Sequence, residues 1–331
     1  MPRRYILSID GGGIRGIIPA IALTKLESVT GRPARETFSF VAGTSTGAII
    51  AAALAAGIPA SRILDIYLER AREVFPGYRP VNRLRQVFTG SMYSTRKIRD
   101  LISSEISAAR GWTLNDSPID ILISAKRVPD GKPWYFVRDN PRNSGCTGRL
   151  GLVDCVTASA AAPTYFQPWT VDDSKVPARC DRIGTLVDGS LGVAGNPVYQ
   201  ACVEAFHYSE GYAPEDATIV SLGTGRYLAD RQPAWILPWL QWVLDELISS
   251  PGEQQTELVW RHFPQTAFYR IDTRLEEDIR LDHIQSIDRL QEYGERLAEL
   301  IDWKAIIAGT DEKFRVGRDQ KTFPQYAQPT T

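Results

Sequence analysis

The chain has few residues of the kinds that cross-link small secreted domains or hold metal ions. It contains four cysteines and three histidines among 331 residues. The cysteines lack a Cys-x-x-Cys spacing and are too few for a disulfide scaffold of this size. We therefore expect reduced thiols and a cytoplasmic protein. The sequence also contains no His-Glu-x-x-His or calcium-loop spacing, so it predicts neither a metal ion nor a cofactor.

An excess of charge of one sign is missing as well. The formal net charge is -1, and the sequence contains no long run of like charge. Proteins that bind nucleic-acid polymers usually carry an excess of basic residues or a basic surface patch, so no such partner is predicted. Hydrophobic residues make up 43% of the chain, which is enough for a large buried core. One globular domain is the simplest interpretation.

No hydrophobic run is long enough to cross a bilayer. The longest, residues 48–60, contains Gly57 and Pro59 and falls well short of roughly 20 residues. The apolar stretch that follows the basic start of the chain is only five residues long and ends at Asp10, which argues against an export signal. We expect any contact with a membrane to be peripheral.

The sequence does contain an alternation of strand-like apolar runs and helical patterns. Residues 5–9 and 38–42 are predicted strands, each followed by a predicted helix, over residues 14–29 and 48–56. Further strands are predicted at residues 119–124, 134–137, 184–187 and 218–222. This order indicates an α/β fold with a central sheet between layers of helices.

The first two predicted strands run directly into glycine-rich turns. Residues 10–16 read Asp-Gly-Gly-Gly-Ile-Arg-Gly, and residues 43–47 read Gly-Thr-Ser-Thr-Gly. A Gly-x-Ser-x-Gly turn between a strand and a helix presents its serine, here Ser45, as a nucleophile. A glycine run at such a turn offers backbone amides that stabilise an oxyanion. The two turns together predict a serine hydrolase.

Such a serine needs a general base, because a free hydroxyl is a weak nucleophile near neutral pH. None of the three histidines lies in a glycine-flanked turn after a strand: His207, His262 and His283. Asp188 does, since it follows the predicted strand 184–187 and precedes Gly189. Partial burial beneath apolar neighbours would raise the basicity of its carboxylate. Asp-Gly is also a common turn dipeptide, so only the other motifs promote Asp188 to a catalytic candidate.

These motifs, in this order, resemble the patatin-like phospholipases. Residues 158–166 and 220–225 resemble family segments too, so the likeness extends from residue 5 to about residue 226. The resemblance implies a patatin-like three-layer fold whose central, mostly parallel sheet is flanked by helices. It also implies a lipid acyl hydrolase that cleaves carboxylic esters of membrane glycerolipids and releases free fatty acid.

The resemblance further implies roles for individual residues. Ser45 would be the nucleophile and Asp188 its partner in a Ser-Asp dyad. The oxyanion hole would be formed by the amides of Gly11, Gly12 and Gly13, with Arg15 beside it. The elbow and the aspartate turn would be supported by Gly43, Gly47 and Gly189.

Two positions depart from the family pattern. Ser190 stands where many relatives have glycine or alanine, and serine is small enough to fit there. The family's Asn-Asn-Pro appears here as Gly195-Asn196-Pro197, which leaves Asn196 to support the aspartate turn. Neither change removes a catalytic atom.

Three other interpretations stay open at this point. The spacing of Gly11, Gly13 and Gly16 also fits a dinucleotide-binding fingerprint, although the second strand does not end in the acidic residue that would hold a ribose. An ordinary α/β-hydrolase would use a histidine base, but its serine elbow normally follows several strands. A storage or binding protein that kept the fold is the non-enzymatic alternative.

Two segments suggest contact with lipid. Trp235, Trp239 and Trp242 lie at i, i+4 and i+7 on one helical face, as in a membrane-docking face or lid, and equally as in a core or dimer contact. Residues 62–99 carry many more arginines and lysines than carboxylates. This excess fits binding to anionic headgroups or to a phosphorylated ligand, and it also fits a solvated basic surface.

We predict one domain over residues 1–310 and a polar tail over residues 311–331. The domain would end in an amphipathic helical pattern over residues 276–308, interrupted at Gly294, that packs on the sheet as a cap.

Some bacterial members of the family are antiviral effectors switched on by cyclic nucleotides. A compact chain with a basic segment resembles that group, which implies a cyclic-nucleotide activator. The sequence predicts neither the lipid headgroup nor the oligomeric state.

Overall fold

The computed structural model describes residues 3–75, 90–143, 145–192, 195–227 and 251–317. Within these ranges ten strands are present: β1 Arg4–Ile9, β2 Phe40–Thr44, β3 Asp120–Arg127, β4 Pro133–Val137, β5 Trp169–Thr170, β6 Thr185–Asp188, β7 Ala217–Leu222, β8 Arg226–Tyr227, β9 Ala267–Ile271 and β10 Arg274–Leu275. Eight of them form one central sheet, and β8 pairs only with β10.

The helices of the described ranges lie on both faces of this sheet. They are α1 Ile17–Thr30, α2 Ala34–Thr37, α3 Thr46–Ala55, α4 Ala60–Val74, α5 Thr95–Glu105, α6 Leu152–Ser159, α7 Val198–Val203, α8 Pro251–His262, α9 Ile287–Leu300 and α10 Trp303–Ala308. Short 3-10 turns and one π turn connect several of them. None of these helices is long and apolar enough to cross a membrane.

Alternate residues of each strand supply two separate cores, as the period of a strand requires. Leu7 and Val41 point into the larger core, which α1, α3 and α9 cover. Ile6 and Phe40 point into the smaller core on the opposite face, which α7 and α8 cover. The two cores make the molecule a three-layer α/β structure.

The sheet has the strand order β5-β6-β3-β2-β1-β7-β9, with β4 also paired to β3. Neighbours from β3 through β9 along this order are parallel, which confirms the predicted mostly parallel sheet. Every strand predicted from the sequence is present within a few residues of its expected position. β9 was not predicted, although four of its five residues, in the sequence Ala-Phe-Tyr-Arg-Ile, are hydrophobic and buried.

β6 departs from the parallel arrangement. It runs antiparallel to β3, with Asp188 opposite Ala125, whereas Thr44 at the end of β2 lies opposite Ser124. Asp188 therefore reaches the site at the end of an antiparallel strand. Asp188 nevertheless lies level with the end of β2, because the register of β6 against β3 places it there.

The helical pattern predicted over residues 276–308 is two helices preceded by a loop. Residues 276–283 are not helical, α9 begins at Ile287, and α10 follows after a break at residues 301–302. α9 packs against α1 and not directly on the sheet, which corrects the expected placement of this cap. Its contact face carries Gly294, whose missing side chain lets Ile18 and Ile21 of α1 approach closely.

Two of the four cysteines are paired in the structure. Cys146 and Cys180 form a disulfide across two loops, while Cys155 and Cys202 are buried free thiols. Four reduced cysteines had been expected from the lack of a scaffold pattern. A single long-range pair leaves no local spacing signal, and disulfides are unusual in a reducing cytoplasm.

Residues 311–317 continue from α10 along the edge of the sheet. The amide of Arg270 donates to the carbonyl of Phe314, and the amide of Val316 donates to Phe268. Residues 318–331 lie outside the described ranges. The division of the chain at residue 310 stays a prediction.

Replacement of Gly294 by valine should destabilise the protein. A Cβ at this position would lie 2.6 Å from Ile21 Cδ1, so α9 and α1 would have to move apart. Overpacking of this kind costs about 1–3 kcal/mol. Urea unfolding of Gly294→Val, compared with the wild type and with the exposed control Glu295→Val, measures the loss. Equal unfolding free energies of the two variants would show that the α1–α9 contact has no such restriction.

Candidate active site

Ser45 occupies a sharp turn between β2 and α3. Its backbone has φ 54° and ψ −119°, a combination that non-glycine residues rarely adopt. The Ser45 amide donates to Ser159 Oγ at 2.9 Å, and its carbonyl accepts from the amides of Ala48 and Ile49. The side chain is nearly buried, at 8% exposure. This is the strained strand-turn-helix geometry that presents a nucleophile.

The turn depends on close packing at its two glycines. A Cβ on Gly47 would lie 2.2 Å from the Ile9 carbonyl oxygen, so only glycine lets α3 start directly above the end of β1. A Cβ on Gly43 would lie 2.2 Å from the Gly47 carbonyl oxygen. Both glycines of the Gly-x-Ser-x-Gly sequence are therefore required by close contacts, Gly47 by its contact with β1 and Gly43 by a contact within the elbow.

The Asp188 carboxylate lies beside Ser45. It is 4% exposed, and burial raises the pKa of its carboxyl from 3.8 to about 6, although hydrogen bonds from the Ser45 side chain and from Ser190 act in the opposite direction. A carboxylate with a pKa near 6 is a stronger base than an exposed aspartate and is still mostly ionised at neutral pH.

Two backbone hydrogen bonds and a close contact with β3 fix the turn after Asp188. The Ser190 amide donates to Asp188 Oδ1 at 2.8 Å, and the Asp188 amide donates to the Ala161 carbonyl at 3.0 Å. Gly189 lies against β3, where a Cβ would come 2.4 Å from Ser124 Oγ. The alanine-rich segment before Pro163 thus contacts the aspartate turn through one carbonyl.

Among the described residues, Asn196 makes no hydrogen bond to the aspartate turn, although the family's Asn-Asn-Pro sequence had led us to expect one. Its side-chain oxygen accepts from Ser8 Oγ at 3.2 Å, from Ser221 Oγ at 3.4 Å and from the Val198 amide at 3.0 Å. The fully buried Asn196 side chain therefore joins β1, β7 and the start of α7.

The glycine loop that follows β1 lies against both Ser45 and the aspartate turn. The Gly11 amide donates to the Gly195 carbonyl at 2.9 Å and is not free to bind an oxyanion, which corrects its assignment as an oxyanion donor. In the described part of the chain the amides of Gly12 and Gly13 have no acceptor. Gly11 is needed for space instead, since a Cβ there would lie 2.3 Å from Ser190 Oγ.

A partly buried ion-pair network anchors the start of this loop. Arg270 on β9 donates to both oxygens of Asp10, at 2.9 and 2.6 Å, and also to Asp272 and Ser221. Burial raises the pKa of the Asp10 carboxyl to about 6 despite the opposing effect of Arg270. Sequence analysis missed this network because it missed β9. An arginine in an otherwise apolar strand pattern was the available signal.

Arg15 and Thr224 also contact the glycine loop. Arg15 Nε lies 3.4 Å from the Gly12 carbonyl oxygen, and Thr224 Oγ1 donates to the Gly11 carbonyl at 2.7 Å. The two side chains line a polar cavity of about 350 Å³ together with Asp10 and Arg270. Arg15 thus lies beside the loop, as the resemblance implied.

An apolar pocket opens at Ser45 and extends between α3, α4 and α5. Its free volume is about 100 Å³. Apart from Glu105, its lining side chains are uncharged, with Ile63, Ile98 and Phe166 among them. Ala53 lines it as well and lies eight residues beyond Ser45 on α3, or about 12 Å along the helix axis.

Three of the described arginines in the basic segment 62–99 have acidic partners. Arg62 and Arg70 both pair with Glu105, and Arg99 pairs with Asp154 at 2.9 Å. Counting charges within the segment missed these partners because they come from elsewhere in the chain. Residues 76–89, which contain three more of the arginines, lie outside the described ranges.

The three tryptophans of the predicted membrane face, Trp235, Trp239 and Trp242, also lie outside the described residues. Their role stays a prediction.

In the described ranges no group of three or more His, Cys, Asp or Glu side chains is placed to hold a metal ion.

The raised pKa of Asp188 predicts a pH-dependent stability difference from Asp188→Asn. Between its unfolded value near 3.8 and its folded value near 6, the folded protein binds more protons, so wild-type stability falls as pH rises through this window. The two-unit shift corresponds to about 3 kcal/mol at most. Urea unfolding of both proteins from pH 4 to pH 8 should show the variant gaining stability relative to the wild type. If the difference in unfolding free energy between the wild type and Asp188→Asn did not change with pH, the raised pKa of a buried Asp188 would be contradicted.

Comparison with known proteins identifies the family. The family model described as Patatin-like phospholipase matches residues 7–201, well over half of the chain. A cGAMP-activated phospholipase of Escherichia coli (strain TW11681) is 31% identical over 235 residues, 67% of this chain and 62% of the relative. Patatin-like protein 2 of Arabidopsis thaliana is 31% identical over 256 residues, 69% of this chain and 61% of the relative.

The chain spans about three fifths of the length of these relatives. Among solved structures, VipD from Legionella pneumophila superposes with a TM-score of 0.42 at 11% identity, covering 91% of this chain and 67% of that chain. The family match removes the dinucleotide-binding and ordinary α/β-hydrolase alternatives. The chain belongs to the patatin-like phospholipase family.

Proposed function

We propose that the protein is a lipid acyl hydrolase in which Ser45 and Asp188 form a catalytic dyad. The observation that carries this proposal is the position of the two side chains. The strained elbow places Ser45 next to a buried carboxylate of raised pKa, at the mouth of an apolar pocket. Nucleophile, base and acyl-binding space therefore meet at one point.

In this mechanism Ser45 Oγ attacks the carbonyl carbon of a glycerolipid ester while its proton passes to the Asp188 carboxylate. The protonated aspartate then returns the proton to the leaving alcohol, so the acyl group stays on Ser45. Water, deprotonated by the same carboxylate, attacks this acyl-enzyme and releases a free fatty acid. The positive φ of Ser45 keeps its hydroxyl at the end of the turn, where the carbonyl can reach it.

The negative charge of each tetrahedral intermediate would be held by the amides of Gly12 and Gly13. In the described structure these amides are unengaged and lie on the loop that contacts Ser45. The partly buried Asp10–Arg270 pair and the Thr224 hydroxyl hold this loop in place before substrate binds. Preorganised donors of this kind contribute about 3–4 kcal/mol each in related acyl-transfer sites.

The apolar pocket would receive the acyl chain next to the ester of a phospholipid or other acyl lipid. Its free volume of about 100 Å³ is smaller than a whole long acyl chain, so its lining side chains would move apart to admit one. The pocket's extent along α3, about 12 Å, is close to the roughly 15 Å that acyl chains occupy in one leaflet of a bilayer. A lipid would enter from a membrane surface with its ester at Ser45, which makes peripheral membrane contact part of the proposal.

We also propose that the hydrolase is switched on by a cyclic nucleotide. The support is the naming of relatives from Escherichia coli and from Vibrio cholerae as cGAMP-activated phospholipases, both 31% identical to this chain. In that case the purified protein would be weakly active until the nucleotide is added, and antiviral signalling would be its setting. A binding or storage protein without activity is the competing outcome.

Fatty-acid release from mixed phospholipid liposomes tests the dyad. Wild-type protein should release fatty acid when cGAMP is present, and Ser45→Ala and Asp188→Asn should each lose at least about a hundredfold in rate under the same conditions. Ser107→Ala, on the surface, is the matched control and should retain activity. Release that survives in Ser45→Ala would refute the assignment of the nucleophile.

The same assay should show the rate rising with pH through about 6, since only the ionised form of Asp188 accepts a proton. No release by folded wild-type protein under any condition would favour the storage or binding alternative.

A shorter pocket should change the preferred acyl length. In Ala53→Phe the phenyl ring would fill the pocket about 12 Å from Ser45, so esters with long acyl chains would no longer fit. We expect kcat/KM for a sixteen-carbon p-nitrophenyl ester to fall at least about tenfold, with that for a four-carbon ester nearly unchanged. The short ester reports whether the variant is folded. An equal loss on both esters would place the acyl chain elsewhere.

A further inference from the structure

A third cavity, larger than the acyl pocket and the polar cavity beside the glycine loop, lies at the edge of the sheet opposite Ser45. It surrounds the starts of β1 and β3 and has a volume of about 880 Å³. Ser45 follows the other end of the parallel strands, and the six residues of β1 alone span about 20 Å. The cavity is therefore separate from both the acyl pocket and the polar cavity beside the glycine loop.

Positive charge dominates its lining. Six cationic side chains from four different parts of the chain line the cavity: Arg3, Arg4, Arg32, Arg35, Arg138 and Lys304. Three carboxylates also line it: Glu36, Asp120 and Glu210. Cations thus outnumber carboxylates two to one in a concave space, an arrangement that concentrates positive potential.

Several of these cations are not engaged by protein carboxylates. Asp120 is already occupied, since it accepts from the Tyr212 hydroxyl at 2.8 Å and lies 3.7 Å from Arg138 Nη1. Among the residues that the structure describes, Arg32 and Lys304 form no ion pair. In the basic segment near α5, by comparison, Arg62, Arg70 and Arg99 each have an acidic partner.

We infer that this cavity binds a small soluble ligand that carries at least two phosphate groups. The spread of cations over several elements matches two separated phosphates better than one, and the volume suits a ligand of nucleotide size. Binding of this ligand does not depend on whether the protein is a lipid hydrolase. The regulatory part below rests on the proposed function.

The structure provides a connection from this cavity to the acyl pocket. The Glu27 carboxylate accepts from the Ala34 amide at 2.8 Å and from the Ala60 amide at 2.9 Å. Ala34 begins α2, the short helix next to the cavity cations, and Ala60 begins α4, which forms a wall of the acyl pocket. A ligand that draws α2 toward the cavity would therefore shift α4 and change access to Ser45.

Calorimetric titration with cGAMP and with inorganic pyrophosphate tests the binding site. Wild-type protein should bind cGAMP, and the double variant Arg32→Ala/Lys304→Ala should bind it at least about tenfold more weakly, because two charge-assisted contacts are lost. Lys175→Ala/Arg182→Ala removes the same charge from exposed positions outside the cavity and should bind like the wild type. If the two double variants bound cGAMP with equal affinity, the cavity would not be the binding site.

Vesicles of phosphatidylcholine and phosphatidylinositol phosphate separate a soluble ligand from a lipid headgroup. If vesicles bind in an Arg32- and Lys304-dependent manner but cGAMP and pyrophosphate do not, the cavity takes a headgroup and our inference is wrong. Ligand binding without any lipid hydrolysis would support the cavity and refute the proposed function, so the two failures are distinguishable.

The connection through Glu27 has its own test. Glu27→Gln can keep only one of the two carboxylate contacts, so cGAMP should still bind within about twofold while its stimulation of lipid hydrolysis falls severalfold. Unchanged stimulation in this variant would show that α2 and α4 are not coupled through Glu27.

Discussion

The contact between the start of α3 and the end of β1 is the constraint on which the site depends. Gly47 places the helix within van der Waals distance of the Ile9 carbonyl, and Gly43 lets the chain reverse beneath it. Any side chain at these positions would lift α3 from the sheet and relax the turn at Ser45. The alanines of α3 extend the same close packing along the helix, since nine of its ten residues are buried. The strain at Ser45 is thus maintained by packing that the elbow alone could not supply.

The remaining parts of the site are brought to this turn by long-range pairing. β6 supplies Asp188 through its register against β3, and β9 supplies Arg270, which holds Asp10 and with it the glycine loop. Each contact joins residues that are far apart in sequence. The polar groups involved are nearly buried, so their hydrogen bonds are strong and a missing partner is costly. Such a network favours a rigid site that is formed before a substrate arrives.

Charge is distributed unevenly over the two edges of the sheet. Next to the acyl pocket, Arg62 and Arg70 are neutralised by Glu105 and act as links between α4 and α5. At the opposite edge, Arg32 and Lys304 have no acidic partner among the described residues. A net charge near zero for the whole chain hides this asymmetry. Local charge has functional meaning here only once the partners of each arginine are known.

The sequence by itself determined the class of fold, the order of most strands and the two turns that carry Ser45 and the glycine loop, because these features depend on local periodicity and on glycine. It also pointed to Asp188, because this residue ends a predicted strand and begins a glycine turn. Only the tertiary structure decided that β6 is antiparallel, that the Gly11 amide is engaged, that Arg270 holds Asp10 and that Cys146 pairs with Cys180. These features join distant segments, and no local pattern specifies which distant residue a side chain or strand will meet.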